Sequence, residues 1–213
     1  LKDTRVGNRI YKIAQPEKDE LLLTIKGSCG QVRMLMSADA SLPLLYLTEK
    51  NKTSPMTAPN FCMLLRKHLQ NARIVSVTQP GLERIVRFEL EHLNELGDLC
   101  RKYLIVELMG KHSNIIFCDE KDMIIDSIKH ISGMVSSVRE VLPGRAYFIP
   151  KTQEKAELLD CTSEEIATVL KLRSMPVFKA IYTGFTGISP CVAHELCVRA
   201  GIDADWSSSE LEE

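Results

Sequence analysis

Apolar and polar residues change period several times along this chain, and each change marks an element. Short apolar runs bounded by turn chemistry predict strands at 9–14, 20–26, 31–37 and 44–48. Gln15-Pro16-Glu17-Lys18-Asp19 and Gly27-Ser28-Cys29-Gly30 are connections short enough for an antiparallel meander. Residues 49–58, rich in Lys, Asn, Ser, Thr and Pro, read as a loop. Phe61, Leu64, Leu65 and His68 then recur at helical spacing, with Arg66, Lys67 and Gln70 opposite them. Pro59 suits the first helical position, with Thr57 or Ala58 as the cap before it.

Beyond this helix the period returns to two. A strand is predicted at 73–78, and Gln79-Pro80-Gly81 turns the chain into a second strand that starts near Glu83. Val86, Phe88 and Leu90 alternate there with Arg87, Glu89 and Glu91, the pattern of a half-buried strand. Residues 92–99 form the next turn. A more fully buried strand follows at 102–109, where Glu107 is the one carboxylate on an apolar face and must be paired or hydrogen-bonded. Residues 115–118 and 123–128 read as a hairpin, and 132–150, which has no clear period, wraps the sheet.

The last third changes character. A polar linker at 150–160 precedes helical spacing from Ser163, taken as a cap, to Leu172, and Pro176 starts a second helix toward Tyr182. Residues 185–193 then form a hairpin before a helix that stops at Gly201. The pattern is that of a helix-hairpin-helix motif, which aims backbone N–H groups at a phosphate. Ser189 stands where glycine is usual and Cys191 where lysine is common, so a purely structural hairpin stays open. The acidic stretch 206–213 is expected to fray or to lead into a further region. Together these elements predict an α+β protein in two parts, an antiparallel β-rich lobe over 1–150 and a helical domain over 151–213.

Composition narrows the function classes. A chain of 213 residues with 45% hydrophobic and 26% charged residues is long and apolar enough for one large domain or two modest ones. A net charge of −1 gives no support for broad nonspecific nucleic-acid binding, so any RNA surface must be a local patch. The seven cysteines form no CxxC pair and no zinc-ligand spacing, which points to a reducing, cytoplasmic location. No apolar run is long enough to span a bilayer, and no signal-peptide pattern opens the chain. Leu1 in place of Met suggests that the first residues of the native domain are missing.

Four ordered blocks carry a resemblance: PNFCMLLRKHL from Pro59, GLERI from Gly81, VELMGKHSNIIF at 106–117 and SSVREVLPGRAY at 136–147. They are similar to the successive signatures of the NFACT-N domain, which opens the bacterial RqcH proteins, also called FbpA or fibronectin-binding proteins, and their eukaryotic relative NEMF. The turn block of that family usually reads GLDR, and its Asp-Arg pair is tied to transfer-RNA binding. Here those positions are Glu83 and Arg84. The resemblance implies a noncatalytic module that engages transfer RNA, alanine transfer RNA in particular, on a large ribosomal subunit obstructed by stalled peptidyl-tRNA. It implies support for alanine tailing of the stalled chain during ribosome-associated quality control. It also implies a fold like the N-terminal part of formamidopyrimidine-DNA glycosylases. The residues themselves show no metal-ligand cluster, and no cofactor or metal is expected.

Each candidate residue has a plainer reading beside it. Glu83 and Arg84 can be an ordinary strand-edge charge pair, and Arg66 and Lys67 the solvated side of a helix. With Arg73 they can equally form a local basic surface. Lys111 and His112 occupy a turn suited to RNA contact or to structural hydrogen bonds, and His68 reads as a core residue. Arg139 and Arg145 flank Leu142-Pro143-Gly144, where arginine either ties down a loop or reaches phosphate oxygens. Two other functions are weighed. A glycosylase needs an N-terminal proline nucleophile with a neighbouring glutamate, whereas this chain begins Leu1-Lys2-Asp3 and shows no nucleophile-base set or phosphate-cradling loop. A fibronectin-binding surface adhesin sits poorly with unpaired cysteines and no secretion signal.

Overall fold

Strands at the expected positions build a sheet that bends back on itself. The computed structural model describes residues 6–28, 30–150 and 154–211. The expectations for Leu1-Lys2-Asp3, for Cys29 and for the first residues of the linker lie outside them. Contacts group the chain into two units, Leu1–Gln79 with Arg84–Pro150, and Pro80–Glu83 with Lys151–Glu213.

The first unit holds nine strands: β1 Arg9–Ala14, β2 Glu20–Gly27, β3 Gly30–Ser37, β4 Leu44–Thr48, β5 Arg73–Thr78, β6 Ile85–Leu93, β7 Leu99–Glu107, β8 Asn114–Cys118 and β9 Ile124–Ser127. They form one sheet in the order β4-β3-β2-β1-β5-β6-β7-β8-β9, with every pairing antiparallel. β3 and β9 are seven places apart in that order, roughly 33 Å if the sheet were flat, at about 4.8 Å per strand. Yet the ammonium of Lys129, just past β9, donates to the carbonyl of Ala38, just past β3. The sheet is therefore strongly curled, and one face closes on a shared core of Ile13, Leu23, Met36, Phe88, Leu104 and Phe117.

Helix α1, Asn60–Leu69, packs its Phe61, Cys62, Leu65 and Leu69 into this core. The buried stripe is rotated from the predicted one, with Cys62 and Leu69 inside and Leu64 and His68 half-buried. Arg66 explains part of the rotation, because its Nε donates to the carbonyl of Ile13 at 2.8 Å. The basic side of the helix is thus partly committed to β1. Pro59 is the cap residue itself, in place of Thr57 or Ala58, and no side chain caps the helix.

The hairpin of β6 and β7 is longer than its sequence suggested, and its turn shrinks to residues 94–98. Asn94 Oδ1 closes that turn by accepting from the backbone N–H groups of Leu96 and Asp98, each at 2.9 Å. The other sheet face, around Ile85, Ile105, Ile116 and Ile124, is covered by the wrapping segment through Ile131, Val141, Tyr147 and Ile149. Glu107 lies beneath that cover with no exposed surface. Arg139 Nη2 and Tyr147 Oη both donate to its carboxylate, the latter at 3.0 Å, while Arg139 Nη1 donates to the carbonyl of Phe148 at 2.7 Å. The Tyr147 phenol is pushed well above its ordinary pKa, first by burial and then by the Glu107 charge.

The second unit holds α2 Ser163–Lys171, α3 Val177–Gly184 and α4 Pro190–Ala200; Leu170 of α2, Ala180 of α3 and Phe185 form its core, and α4 buries Ala193 and Cys197. Thr162 rather than Ser163 caps α2, in a capping box with Glu165, because one residue earlier both reciprocal bonds close. Ser189 caps α4, and Gly201 ends it at φ 69°. Among the described residues, no helix is long and apolar enough to cross a membrane, and the six described cysteines are free thiols.

Replacing Arg139 by Met leaves the buried Glu107 carboxylate without its cation. We expect a loss of about 3 kcal/mol in urea unfolding, whereas Arg145→Met, which opens a solvent-exposed pair, leaves the midpoint nearly unchanged.

Candidate nucleic-acid interface

The turn that joins β5 to β6 is held by an unusually close backbone approach. Glu83 N–H donates to the carbonyl of Pro80 at 3.0 Å, which closes the turn. Leu82 packs against Gly187, whose φ is +76°. A Cβ at Gly187 would stand 2.3 Å from Leu82 Cβ and 2.6 Å from its carbonyl oxygen, so the position demands glycine for space as well as for conformation. The hairpin that carries Gly187 is anchored in turn. Thr186 N–H donates to the Ala156 carbonyl at 2.9 Å, Ala156 N–H to the Gly184 carbonyl at 2.8 Å, and Phe185 is buried between them in sequence.

Glu83 is half-buried and groups with the helical unit, whereas Arg84 is exposed and groups with the sheet unit. The Arg84 carbonyl accepts from Leu108 N–H at 2.8 Å, which extends the β6 and β7 ladder by one bond. Its guanidinium has no ion pair or hydrogen bond among the described residues, so a cation is presented to solvent from a fixed backbone.

The remaining candidates divide by partner. Lys111 and His112 are exposed on the 3-10 turn Gly110–His112. Lys67 pairs with Glu95 at 3.2 Å with both side chains largely in solvent, a weak tie. Arg145 pairs with Glu140 at 2.8 Å. Arg73 joins a ladder on the outer face of the sheet, 2.6 Å from Glu91, which also meets Arg101 at 3.2 Å, while Arg101 reaches Glu89 at 2.9 Å. Arg66 and Arg139 are engaged within the fold. Among the described residues, the sequence candidates whose side chains have no ion pair are therefore Arg84, Lys111 and His112.

Sequence reasoning passed over Arg87, which lies 2.6 Å from Asp122 and stacks over Tyr103 at 3.6 Å. It also passed over Gly187, for which a glycine in a hairpin was the one available signal. His68 meets His92 edge-on, with ring centroids 5.9 Å apart. Burial and then nearby Lys102 hold the His68 pKa below its ordinary 6.5, and burial lowers that of His92 in the same direction.

Two outcomes are expected. Gly187→Ala should destabilise the fold by about 1–3 kcal/mol and speed hydrogen exchange at the Glu83 amide. A lowered histidine pKa means that the unfolded chain binds more protons just below pH 6.5, so stability falls as the pH drops through that value. The melting temperature should decline on acidification from neutral pH, and the decline should be smaller in His68→Phe.

Comparison with known proteins completes the picture. The sequence matches the family described as NFACT N-terminal and middle domains over residues 1–213. It is 38% identical over 203 residues to the Rqc2 homolog RqcH of Bacillus subtilis, covering 95% of this chain and 36% of that protein, so it spans about a third of such relatives. Among solved structures, the N-terminal domain of fibronectin-binding protein PavA from Streptococcus pneumoniae superimposes with a TM-score of 0.85 at 33% identity, covering 94% of this chain and 75% of that one. The N-terminal part of the fibronectin/fibrinogen-binding protein from Streptococcus suis does so with a TM-score of 0.84, again at 33% identity and with coverage of 94% and 75%. By its match along the whole sequence, by this likeness and by the four signature blocks, the chain belongs to the NFACT family of the RqcH and NEMF proteins.

Proposed function

We propose that this chain is the transfer-RNA- and large-ribosomal-subunit-binding module of a ribosome-associated quality control factor. In this reading it supports alanine tailing of stalled nascent chains and catalyses no reaction itself. The observation that carries the proposal is Arg84, exposed and unpaired among the described residues, next to a turn whose backbone is locked by Gly187. Folded RNA is recognised by shape together with a small number of cationic contacts, and a fixed arginine serves that purpose better than a mobile one. Arg84 reaches a phosphate or a base edge, and Glu83 accepts from a nucleotide hydroxyl or amine. Lys111 and His112 add phosphate contacts.

The other features fall into place around this role. The hairpin at 185–190 acts as a helix-hairpin-helix in its structural form. Ser189 already takes the Val192 N–H at 3.2 Å, and Gly187 supports the turn rather than a phosphate. Likeness of the β lobe to glycosylases is then one of architecture alone. The regions that relatives carry beyond this span supply the rest of the ribosome contacts. A second reading, a fibronectin-binding surface protein, is favoured by the names of the solved neighbours.

Retention of total cellular transfer RNA by wild-type protein and by the Glu83→Ala/Arg84→Ala variant, at two salt concentrations, tests the proposal. We expect salt-sensitive retention by the wild type and at least a tenfold loss in the variant, with alanine transfer RNA enriched among the retained species. Binding to immobilised fibronectin by a protein that retains no RNA would favour the second reading instead.

A further inference from the structure

The outer face of the sheet changes character where β1 meets β5. From β5 to β7 its charges answer one another, as in the ladder of Arg73, Glu91, Arg101 and Glu89. From β1 to β3 they do not. Within these three strands the one carboxylate is Glu20, and Lys52 takes it at 2.5 Å. The same strands carry Arg9, Lys12, Lys26 and Arg33, none of which has an ion pair among the described residues.

Register puts these four cations on one face. Arg9 stands directly opposite Lys26 on one side and Arg73 on the other, so three cations lie in a row across β2, β1 and β5. In the adjoining row Lys12 and Arg33 both stand opposite Thr24, two residues from Lys26 on β2 and therefore on the same side. Arg33 is half-buried and the others are exposed. Like charges directly opposite one another weaken a sheet, so the arrangement costs stability that a bound anion restores. Two of its members are also fixed. Arg9 Nη1 donates to the Asn71 carbonyl at 2.9 Å, and Arg33 Nη1 to the Glu49 carbonyl at 2.7 Å. A bulge between Ile10 and Lys12 leaves Tyr11 exposed, with the Lys26 ammonium 3.3 Å from its ring centroid.

We propose that the outer face of β1, β2 and β3 binds the phosphate backbone of double-helical RNA. The cations spread over three strands, roughly 10 Å from β1 to β3 at about 4.8 Å per strand. Single strands are held chiefly by aromatic platforms along a groove, whereas Tyr11 already has Lys26 over its ring. Phosphates held on both strands of a rigid helix meet a broad array of cations without rearrangement. The inference rests on the RNA-binding reading and adds a second surface to it. Arg73, at the edge of that surface, stands opposite Glu91, which lies seven residues beyond Arg84, roughly 24 Å at about 3.4 Å per residue. The two sites are thus separate enough to be tested one at a time.

The test is binding of a fluorescent RNA duplex of about 16 base pairs as the salt concentration is varied. Lys12→Gln/Lys26→Gln removes two cations that donate no hydrogen bond within the described fold, so its thermal melt should stay near that of the wild type. It should bind the duplex about tenfold more weakly, with a salt dependence flatter by about two ions. Lys121→Gln/Lys179→Gln, the same loss of charge at exposed positions elsewhere, should bind as the wild type does. The proposal is overturned by absence of duplex binding in the wild type or by equal weakening in the two variants. It is overturned as well if the single strand, polyglutamate, or vesicles of phosphatidylcholine and phosphatidylserine in equal parts bind as tightly as the duplex. Transfer-RNA retention separates the two ideas. If it is lost in Glu83→Ala/Arg84→Ala while duplex binding ignores Lys12→Gln/Lys26→Gln, the sheet face fails and the functional reading stands. If the wild type retains no transfer RNA, the functional reading itself fails.

Discussion

A carboxylate with no exposed surface dictates much of the architecture of the sheet unit. Glu107 ends β7 on the face that also carries Ile105, and it cannot stay there ionised without partners. Arg139 and Tyr147 supply them, and both come from the segment that wraps that face. The wrap is therefore held by a charge that must be answered as well as by apolar contact. Glu107 also stands opposite Ile85, one residue after Arg84, and Leu108 N–H bonds the Arg84 carbonyl. The pairing that buries the carboxylate is thus the pairing that sets where Arg84 leaves the sheet.

A different constraint governs the preceding residues. Pro80–Glu83 belong by contact to the helical unit, although they lie some seventy residues before it in the chain and are followed at once by β6. Gly187 is the reason, since only a residue without a side chain admits Leu82 at that distance. The turn before β6 is therefore shaped by a hairpin far away in sequence. Such over-determined turns suit recognition, because little conformational freedom remains to be lost on binding.

Charge is distributed in a way that fits local rather than diffuse recognition. The overall balance is −1, and among the described residues several arginines are neutralised on the spot, as in the ladder of Arg73, Glu91, Arg101 and Glu89 or the pair of Arg87 and Asp122. Those pairs order the sheet surface and offer little attraction at a distance. Cations left without partners among the described residues, such as Arg84, stand out against that background, and a ligand with few, well-placed phosphates is the kind that such a surface can select.

The strands were legible from periodicity, since β1, β4 and β5 occupy the expected residues, and so were the start of α3 at Pro176 and the stop of α4 at Gly201. That Glu107 required a partner was also legible, because burial of a charge is costly wherever it occurs. The signature blocks carried the family and directed attention to Glu83 and Arg84. The identity of Glu107's partners was not legible, nor was the rotation of α1 that buries Cys62 and Leu69 and engages Arg66. The same holds for the Thr162 cap, the fit of Leu82 on Gly187 and the row of like charges across β2, β1 and β5. Local sequence determines which elements form, because period, turn chemistry and capping act over a few residues. Which charge meets which, and where a glycine is indispensable, depends on contacts between residues far apart in the chain, and these exist only once the sheet has curled and the helices have packed.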